Sequence, residues 1–232
     1  MKYSGNIISG IFVKRMNRFI AIVEIDGVEE TCHVKNTARC KELLLPGAKV
    51  YLEESDNPMR KTRYSLVAVK KGRRLVNLDS QIPNAAAYEW VKTGRFRPDI
   101  VNVRREVTFG KSRFDLYAEA MDGTRMFIEV KGVSLVENDV VRFPDAPTER
   151  GVKHIYELCE AVKHGYDAYI LFVIQMEDVV YFRPNDEMQK ELGDALRYAV
   201  TQGVRILAMD CKVTPDSMTI HEPVPVRLEY ND

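Results

Sequence analysis

The segment GKSRFDLYAEAMDGTRMFIEVKG, residues 110–132, decides the fold of the second part of the chain. It contains two β-rich runs on either side of an Asp122-Gly123 turn signal, and this pattern predicts a β-hairpin. Alternate residues of a strand share a face. The second strand therefore directs Glu129 and Lys131 to one side and its apolar residues to the other.

The length of the loop decides whether Asp115 of the first strand joins these two residues. A two-residue turn would place Asp115 opposite Val130, on the other face of the hairpin. A three-residue loop or a bulge brings Asp115 level with Glu129 or Lys131. Gly123 permits the left-handed backbone that such a loop needs. Because the apolar residues of both strands must reach one core, we predict an odd-length loop or a bulge.

Two carboxylates and an ammonium group on one surface favour a metal site. Paired carboxylates repel each other unless a cation lies between them, and oxygen ligands favour Mg²⁺ or Mn²⁺. A divalent ion lowers the pKa of bound water, and a lysine stabilises the negative charge that a phosphoryl transition state adds. The combination suits phosphodiester hydrolysis. The alternative is an exposed ion pair on a half-solvated sheet, because strands with one charged face are common.

Residues 1–80 contain five or six short β-rich runs separated by turn signals such as Asp26-Gly27 and Pro46-Gly47. This pattern predicts a small β-barrel or sandwich, and the OB-fold is one such barrel. OB barrels bind single-stranded nucleic acid or oligosaccharides, which makes this first domain a candidate nucleic-acid-binding unit.

The charge of the chain is unevenly divided between its two parts. Residues 1–80 carry 15 Lys and Arg against 9 Asp and Glu, which leaves 19 and 25 of the totals of 34 for residues 81–232. The first part is therefore +6 and the second −6. A basic domain attracts phosphate backbones. The alternative is a small domain with lysines on its solvent face.

After residue 80 the pattern changes to alternating helices and strands, which predicts a second domain over residues 81–232. Asn84 is predicted to cap a helix that runs to about Thr93, with Gly94 as its stop. The later elements are strands near 100–109, 113–120 and 126–131, a helix at about 148–164, a strand at 168–174, a helix at 187–201 and a strand at 204–209. This order predicts an α/β domain with a mixed or parallel sheet flanked by helices.

The remaining bulk features indicate a cytoplasmic protein. The four cysteines are scattered without CxxC pairs, so we expect reduced thiols and no disulfide framework. No apolar run approaches the roughly 20 residues of a membrane span, and the N-terminus does not resemble a signal peptide. The sequence does not predict an oligomeric state.

Several long motifs resemble the sugar fermentation stimulation protein A (SfsA) family. They are GKSRFDLYAEAMDGTRMFIEVKGVSL, RFPDAPTERGVKHIYEL, NPMRKTRYSLVAV, VNLDSQIPN and SGIFVKRMNRFIAIVEIDG with HVKNTARC. The resemblance covers nearly the whole chain. It implies an N-terminal OB-like barrel followed by a PD-(D/E)XK nuclease-like domain, which is a restriction-endonuclease-like α/β domain with a mixed sheet. It also implies DNA binding without sequence preference and a link to sugar (maltose) metabolism.

The resemblance assigns the catalytic and metal-binding roles to four residues. Asp115 is the aspartate of the nuclease motif, and Glu129 and Lys131 are its E-x-K. Glu89 matches the acidic residue on the first helix of the nuclease domain. The expected catalytic residues are Asp115, Glu129, Lys131 and Glu89, and the expected Mg²⁺ or Mn²⁺ ligands are Asp115, Glu129 and Glu89.

The candidate nucleic-acid contacts are basic residues and one neighbouring aromatic. They are Arg60, Lys61, Arg63, Tyr64, Arg104, Arg105 and Lys153. Tyr64 would stack on a base beside a phosphate patch; the alternative is a solvated turn. One of Arg104 and Arg105 must face the other side of its strand. The family resemblance makes Glu149 and Lys153 auxiliary residues, and His154 lies beside the apolar stripe of their helix, which indicates a supporting role.

The first domain departs from the family pattern in one loop. The family's H-x-P-N-T-G-x-M is HVKNTARC here, so Lys35, Ala38 and Cys40 replace the proline, glycine and methionine. Any role of this loop in binding nucleic acid or the second domain would be altered.

Two functions remain open. The first is a Mg²⁺- or Mn²⁺-dependent nuclease in which Asp115, Glu129 and Lys131 cut bound nucleic acid, most simply DNA. The second is a non-catalytic, sequence-nonspecific DNA-binding regulatory protein on a nuclease-like scaffold. The intact acidic pair and lysine favour the first, and the modest charge and the family description favour the second.

Overall fold

The computed structural model describes residues 1–36, 38 and 40–230. Thr37 and Arg39 of the HVKNTARC loop lie outside the described residues. The elements are β1 (Ile7–Arg15), β2 (Ile20–Ile25), β3 (Val28–Val34), β4 (Lys49–Glu54), β5 (Tyr64–Lys71), β6 (Arg74–Asn77), α1 (Ile82–Lys92), β7 (Ile100–Phe109), β8 (Ser112–Ala120), β9 (Arg125–Val133), β10 (Val136–Glu137), β11 (Val140–Phe143), α2 (Glu149–Lys163), β12 (Asp167–Ile174), β13 (Tyr181–Pro184), α3 (Asp186–Thr201), β14 (Arg205–Thr214) and β15 (Ser217–Pro223).

The first six strands form a small β-barrel. Strands β1 to β5 pair in the order β3-β2-β1-β4-β5, and a parallel pairing of β3 with β5 closes the barrel. Alternate residues such as Val23, Val50 and Leu52 point inward and are fully buried. Strand β6 extends the sheet beyond β5 and leads the chain out of the barrel. The predicted OB-like barrel is confirmed.

The remaining part is a mixed six-stranded sheet in the order β15-β14-β12-β9-β8-β7. Strand β12 lies parallel to β9 and to β14, and the other neighbours are antiparallel. Parallel neighbours need long connections, which α2 and α3 supply. A three-stranded sheet of β10, β11 and β13 lies beside it. The predicted mixed sheet with flanking helices is confirmed.

Both faces of this sheet are buried. Leu116, Ile128 and Val130 pack with residues of α1, whereas Phe114 and Phe127 pack in a second cluster with residues of α2 and α3. The apolar residues of the two strands divide between two cores, so the expectation that they share one core was wrong. The reason is that β8 and β9 lie inside a sheet that has helices on both sides, so each face carries its own apolar residues.

Ala120 and Thr124 close a three-residue turn, 121–123, between β8 and β9, as the parity argument predicted. Leu116 pairs with Ile128, and the Ala120 amide donates to the Thr124 carbonyl at 2.9 Å. Gly123 adopts the left-handed backbone at φ 84°. This loop length places Asp115 level with Glu129, so the prediction of an odd-length loop is confirmed.

The first helix begins earlier than the sequence suggested. Gln81 is the N-cap, and Pro83 lies in the first turn, where its missing amide proton leaves no hydrogen bond unmade. Asn84 is inside α1, so its predicted capping role was wrong. The helix ends at Lys92, and Gly94 has the expected positive φ. Among the described residues no helix combines the length and the apolar character needed to cross a membrane.

A buried polar junction fixes the barrel to the α/β domain. The Gln175 side-chain amide donates to the carbonyl and the side-chain oxygen of Asn77 and to the Asp79 carbonyl, at 3.1–3.2 Å. Asn77 in turn donates to the Tyr3 hydroxyl at 3.0 Å. Since these groups are withdrawn from water, their hydrogen bonds hold the end of β6 against the end of β12.

Candidate active site

The candidate site lies where β8 and β9 separate. Their pairing ends at Leu116 and Ile128, and the next free amide of β9, that of Val130, donates instead to Asp115 Oδ2 at 2.8 Å. A buried backbone amide needs an acceptor, so the carboxylate replaces the missing strand carbonyl. Asn84 Nδ2 donates to Asp115 Oδ1 at 2.8 Å from α1. Both oxygens of Asp115 are therefore oriented by the fold.

Glu129 is buried, and its two oxygens differ in their contacts. Oε1 lies 2.6 Å from Lys131 Nζ and 2.5 Å from His154 Nδ1. Arg150 Nε donates to His154 Nε2 at 3.3 Å, which assigns the proton of a neutral imidazole to Nδ1, where it is donated to Glu129. Oε2 is buried and has no hydrogen-bond partner in the protein. A buried oxygen left without a partner is costly unless something else satisfies it.

The two carboxyl groups titrate in opposite directions. Burial raises the pKa of Asp115, and the nearby charge of Glu129 raises it further. Burial also acts to raise the pKa of Glu129, but the hydrogen bond from His154 and the ammonium of Lys131 outweigh it and lower that pKa. Glu129 is therefore the firmly ionised member of the pair, and Asp115 is the one that a further positive charge would help to ionise.

These residues fit a hydrated divalent cation. The orphaned Oε2 of Glu129 belongs to a carboxylate level with Asp115, and carboxylate oxygens are preferred ligands of Mg²⁺. Within the described part of the chain, no group of three or more Asp, Glu, His or Cys side chains is placed to hold a metal ion. Mg²⁺ keeps several of its waters and binds through one or two carboxylates, so the pair suffices for that ion.

Lys131 opens onto a cleft between the barrel and the α/β domain. The cleft encloses about 480 Å³, and the barrel contributes Arg18, Asn36 and Ala38 to its wall. A second depression of about 630 Å³ continues from Arg18 over the barrel. Its basic residues are Lys14, Arg15, Arg18 and Lys41. Asn36 and Ala38 thus face the cleft, and the path from Lys131 across the barrel is positively charged.

Glu89 does not join the carboxylate pair, which corrects its predicted role as a metal ligand. Its side chain is half exposed and its Oε2 lies 2.5 Å from the N-terminal ammonium of Met1. Residues five apart on a helix point about 140° apart, so Glu89 cannot share the direction of Asn84, which is the residue that reaches Asp115. The helix supplies an amide to the site in place of the expected acid.

The predicted stacking role of Tyr64 was also wrong, because the ring is buried in the barrel core and only 7% exposed. Arg63 is paired with Glu54 at 2.5 Å. Arg60 donates to the Ser65 hydroxyl at 3.0 Å, and Lys61 is exposed. The roles of these three basic residues in binding nucleic acid stay predictions.

The remaining predicted contacts lie around the α/β sheet. Arg104 stacks on Tyr117 and Arg105 on Tyr88 of α1, so the two arginines face opposite sides of β7 as expected. Lys153 of α2 is exposed and lies 3.6 Å from Glu157. Their role in binding nucleic acid stays a prediction.

Two residues beside the site were missed by the sequence analysis. Asn84 ends the VNLDSQIPN motif and was given a capping role, and Gln175, which follows the buried strand β12, was given none. Their common neighbour Gly132 explains the glycine after E-x-K: a Cβ there would lie 2.6 Å from Pro83 Cγ and 2.8 Å from Gln175 Oε1. This glycine lets α1 and the junction approach the site.

Comparisons with known proteins agree with this architecture. The family model described as "SfsA N-terminal OB domain" matches residues 13–78, and "Sugar fermentation stimulation protein RE domain" matches residues 81–217. A "Sugar fermentation stimulation protein homolog" from Clostridium beijerinckii is 54% identical over 228 residues, which are 98% of this chain and 100% of the relative. The corresponding protein of Desulfitobacterium hafniense is 55% identical over 98% of this chain and 99% of its own length.

A solved structure extends the likeness to three dimensions. Pyrococcus furiosus SfsA in complex with Ca²⁺ superimposes with a TM-score of 0.86 at 27% identity, over 98% of each chain. With both family models matched and half of its residues shared with relatives along nearly their whole length, the chain belongs to the SfsA family, whose two models describe an N-terminal OB domain and an RE domain.

Proposed function

We propose that the protein is a metal-dependent nuclease that hydrolyses phosphodiester bonds of nucleic acid, most simply DNA, bound in the cleft beside Lys131. The observation that carries the proposal is the buried, unpartnered Oε2 of Glu129 level with Asp115 and next to a lysine that opens onto a basic cleft. Buried carboxylate oxygens normally have a hydrogen-bond partner, so this oxygen is available to a ligand.

Asp115 and Glu129 would hold the cation, Mg²⁺ or Mn²⁺. When bound, such an ion lowers the pKa of water and offsets the charge that develops on the phosphoryl oxygens. The Ca²⁺ complex of the Pyrococcus furiosus relative supports divalent cation binding in this fold, because Ca²⁺ and Mg²⁺ are both hard cations that take oxygen ligands.

The side chains around the pair prepare it for this task. Asn84 and the Val130 amide hold the Asp115 carboxylate in one orientation. His154 and Lys131 occupy Oε1 of Glu129, so Oε2 is the oxygen left to a ligand. Such fixed orientation removes the reorganisation that a mobile carboxylate would require during the reaction.

Lys131 is the residue that we expect to act on the reacting phosphate. Its ammonium is partly exposed to the cleft, and its ion pair with Glu129 holds it next to the two carboxylates. Water adds to phosphorus, the P–O bond to the leaving oxygen breaks, and that oxygen takes a proton. The ammonium stabilises the negative charge that accumulates on the phosphoryl oxygens during this step.

The test is cleavage of plasmid and of single-stranded DNA with Mg²⁺ or Mn²⁺, comparing the native protein with Lys131→Met. Methionine keeps the aliphatic stem and removes the charge. We expect a loss of about 10²–10³-fold in rate, the usual effect of deleting one group that stabilises transition-state charge. Lys212→Ala is the matched control, because Lys212 is an exposed lysine on β14, three strands from β8.

Two outcomes would contradict the proposal. Equal cleavage by Lys131→Met and the native protein would show that the activity comes from another site or from a contaminant. Absence of cleavage by folded native protein over several substrates, with binding retained, would favour the non-catalytic DNA-binding function.

A further inference from the structure

We propose that a pocket at the start of β8 and α2 is a phosphate-binding subsite for the nucleic-acid strand; this inference rests on the proposed function. The pocket encloses about 600 Å³ and is separate from the cleft beside Lys131. Its lining residues are Lys111, Ser112, Arg113, Glu149, Arg150, Lys153 and His154. The ligand chemistry is that of a phosphate group.

The first observation is an unused buried hydroxyl. Ser112 lines the pocket with a residue exposure of 4%, and its Oγ has no hydrogen-bond partner in the protein. Buried hydroxyl groups normally form a hydrogen bond within the protein, because burial removes their hydrogen bonds to water. A phosphate oxygen in the pocket would accept the proton of this hydroxyl.

The second observation is the charge around that hydroxyl. Four cationic residues and one acid, Glu149, line the pocket. Arg113 lies 3.7 Å from Glu106 and Lys153 lies 3.6 Å from Glu157, so each is partly compensated. Lys111 is exposed and forms no ion pair with the described residues. The pocket therefore keeps a positive potential, which attracts a phosphate.

The third observation is the position of the pocket relative to the carboxylate pair. His154 lines the pocket and also contacts Glu129, and Ser112 precedes Asp115 by three residues on β8. Lys131 lines the cleft on the barrel side. The pocket and the carboxylate pair thus share His154, so a strand held with one phosphate near Ser112 would pass close to the pair.

Arg150 couples the pocket to the site. Its Nε is taken by His154, which holds Glu129 in turn. A planar guanidinium has five donors, and only the Nε hydrogen bond is formed with the described residues, so the other donors remain for a phosphate. Occupation of the pocket would thereby immobilise the arginine that orients His154.

Two kinds of phosphate share this chemistry: an internal diester of the backbone and a terminal 5′-phosphate. The experiment measures binding in EDTA, without cleavage, of labelled single-stranded oligonucleotides that carry either a 5′-phosphate or a 5′-hydroxyl. The proteins are the native chain, Ser112→Ala, Lys111→Ala and the control Lys212→Ala. Fluorescence anisotropy over a range of salt concentrations gives affinities and salt slopes.

We expect Ser112→Ala to weaken binding by about 10-fold, the effect of losing one hydrogen bond to a charged group. Its melting temperature should be unchanged, because the hydroxyl has no partner in the protein to lose. Lys111→Ala should reduce the slope of log K against log salt by about 1. A loss confined to the 5′-phosphorylated oligonucleotide identifies the terminal phosphate, and an equal loss for both identifies an internal diester.

Native affinity in both Ser112→Ala and Lys111→Ala would overturn the subsite while leaving the nuclease proposal intact. Weakened binding by these variants, together with absence of cleavage by the native protein, would support the subsite and reject the nuclease. Absence of binding by the native chain would overturn the subsite.

Discussion

The molecule contains two groups of one lysine and two acids, and they differ in how completely the charges are paired. In the barrel, Lys35 Nζ bridges Glu53 at 2.9 Å and Asp79 at 3.3 Å. Asp79 Oδ1 also accepts from the Gln81 amide at 2.9 Å. The two hydrogen bonds to Glu53 and Asp79 raise the pKa of Lys35 although its burial acts to lower that pKa. This group is a closed, self-sufficient ion-pair network.

In the α/β domain, Lys131 bonds only one oxygen of Glu129 and leaves Asp115 to neutral donors. The Oε2 of Glu129 stays unpaired, and the pKa of Asp115 is raised. The same residue types therefore give a structural cross-link in one place and a site open to a cation in the other. What distinguishes them is the buried oxygen that the protein does not satisfy.

The largest expected effect is a difference in the free energy of unfolding between variants of Lys35 and Lys131. Lys35→Met should lower the free energy of unfolding by about 3 kcal/mol, because it leaves the buried Asp79 without its cation. Lys131→Met should cost clearly less, since His154 still bonds Glu129. Urea denaturation of both variants measures the difference. Equal losses would mean that the second group is as much a structural network as the first.

The second effect concerns divalent cations. Mg²⁺ or Ca²⁺ at about 100 times its dissociation constant should stabilise the native protein by about 2.7 kcal/mol. For a chain of this length that raises the melting temperature by about 5–10 °C. Asp115→Asn should lose this response, and Glu53→Gln, which alters the closed group, should keep it. A response that survives Asp115→Asn would place the cation elsewhere.

A smaller effect is expected from Asp115→Asn in the absence of a cation. The pKa of Asp115 is raised in the folded protein by burial and by Glu129, so folding becomes less favourable as the pH rises above the ordinary Asp value of about 3.9. The asparagine variant escapes this penalty and should therefore melt at a higher temperature than the native protein at neutral pH. Its advantage should vanish as the pH falls through that ordinary value. A lower melting temperature at pH 7 would show that the carboxylate is already stabilised in the protein.

The smallest effect is expected from Glu89→Ala. Because Glu89 is half exposed and pairs with the N-terminal ammonium, its loss should change stability by less than about 0.5 kcal/mol. Cleavage and the cation response should stay at native values. A loss of cleavage or of the cation response would show that Glu89 is a metal ligand after all. It would contradict the conclusion that α1 supplies only Asn84 to the site.

The sequence predicted the two strands that carry the site better than it predicted the helices that pack around them. The parity of β8 and β9 and the glycine at 123 were sufficient to place Asp115 level with Glu129, because strand period and loop length are local properties. The burial of both sheet faces could not be predicted from the hairpin, since it depends on where α1 and α2 pack. Glu89 was expected at the site from the family resemblance, and only the packing of α1 shows that Asn84 is the residue that reaches Asp115.

Other residues of the site depend on contacts between distant parts of the chain. His154 reaches Glu129 across 25 residues, and Gln175 reaches Asn77 across 98. Tyr64 looked available in sequence because it follows Arg63, but closure of the barrel buries it. Such outcomes are decided by tertiary packing, which single-sequence patterns do not contain.

The Gln175 junction has a mechanical consequence for whatever enters the cleft. Separation of the two domains would break the three buried hydrogen bonds of Gln175 at once. The two walls of the cleft beside Lys131 should therefore move as one rigid unit. If the proposed function holds, the nucleic acid would then have to deform to fit the cleft. We expect gapped or mismatched duplexes, which deform at lower cost, to be cut faster than intact duplex. Gln175→Ala should reduce the preference for gapped or mismatched duplexes. The ratio of initial cleavage rates on a mismatched and an intact duplex of the same sequence, compared between the variant and the native protein, measures how much of the selectivity comes from the rigidity of the cleft.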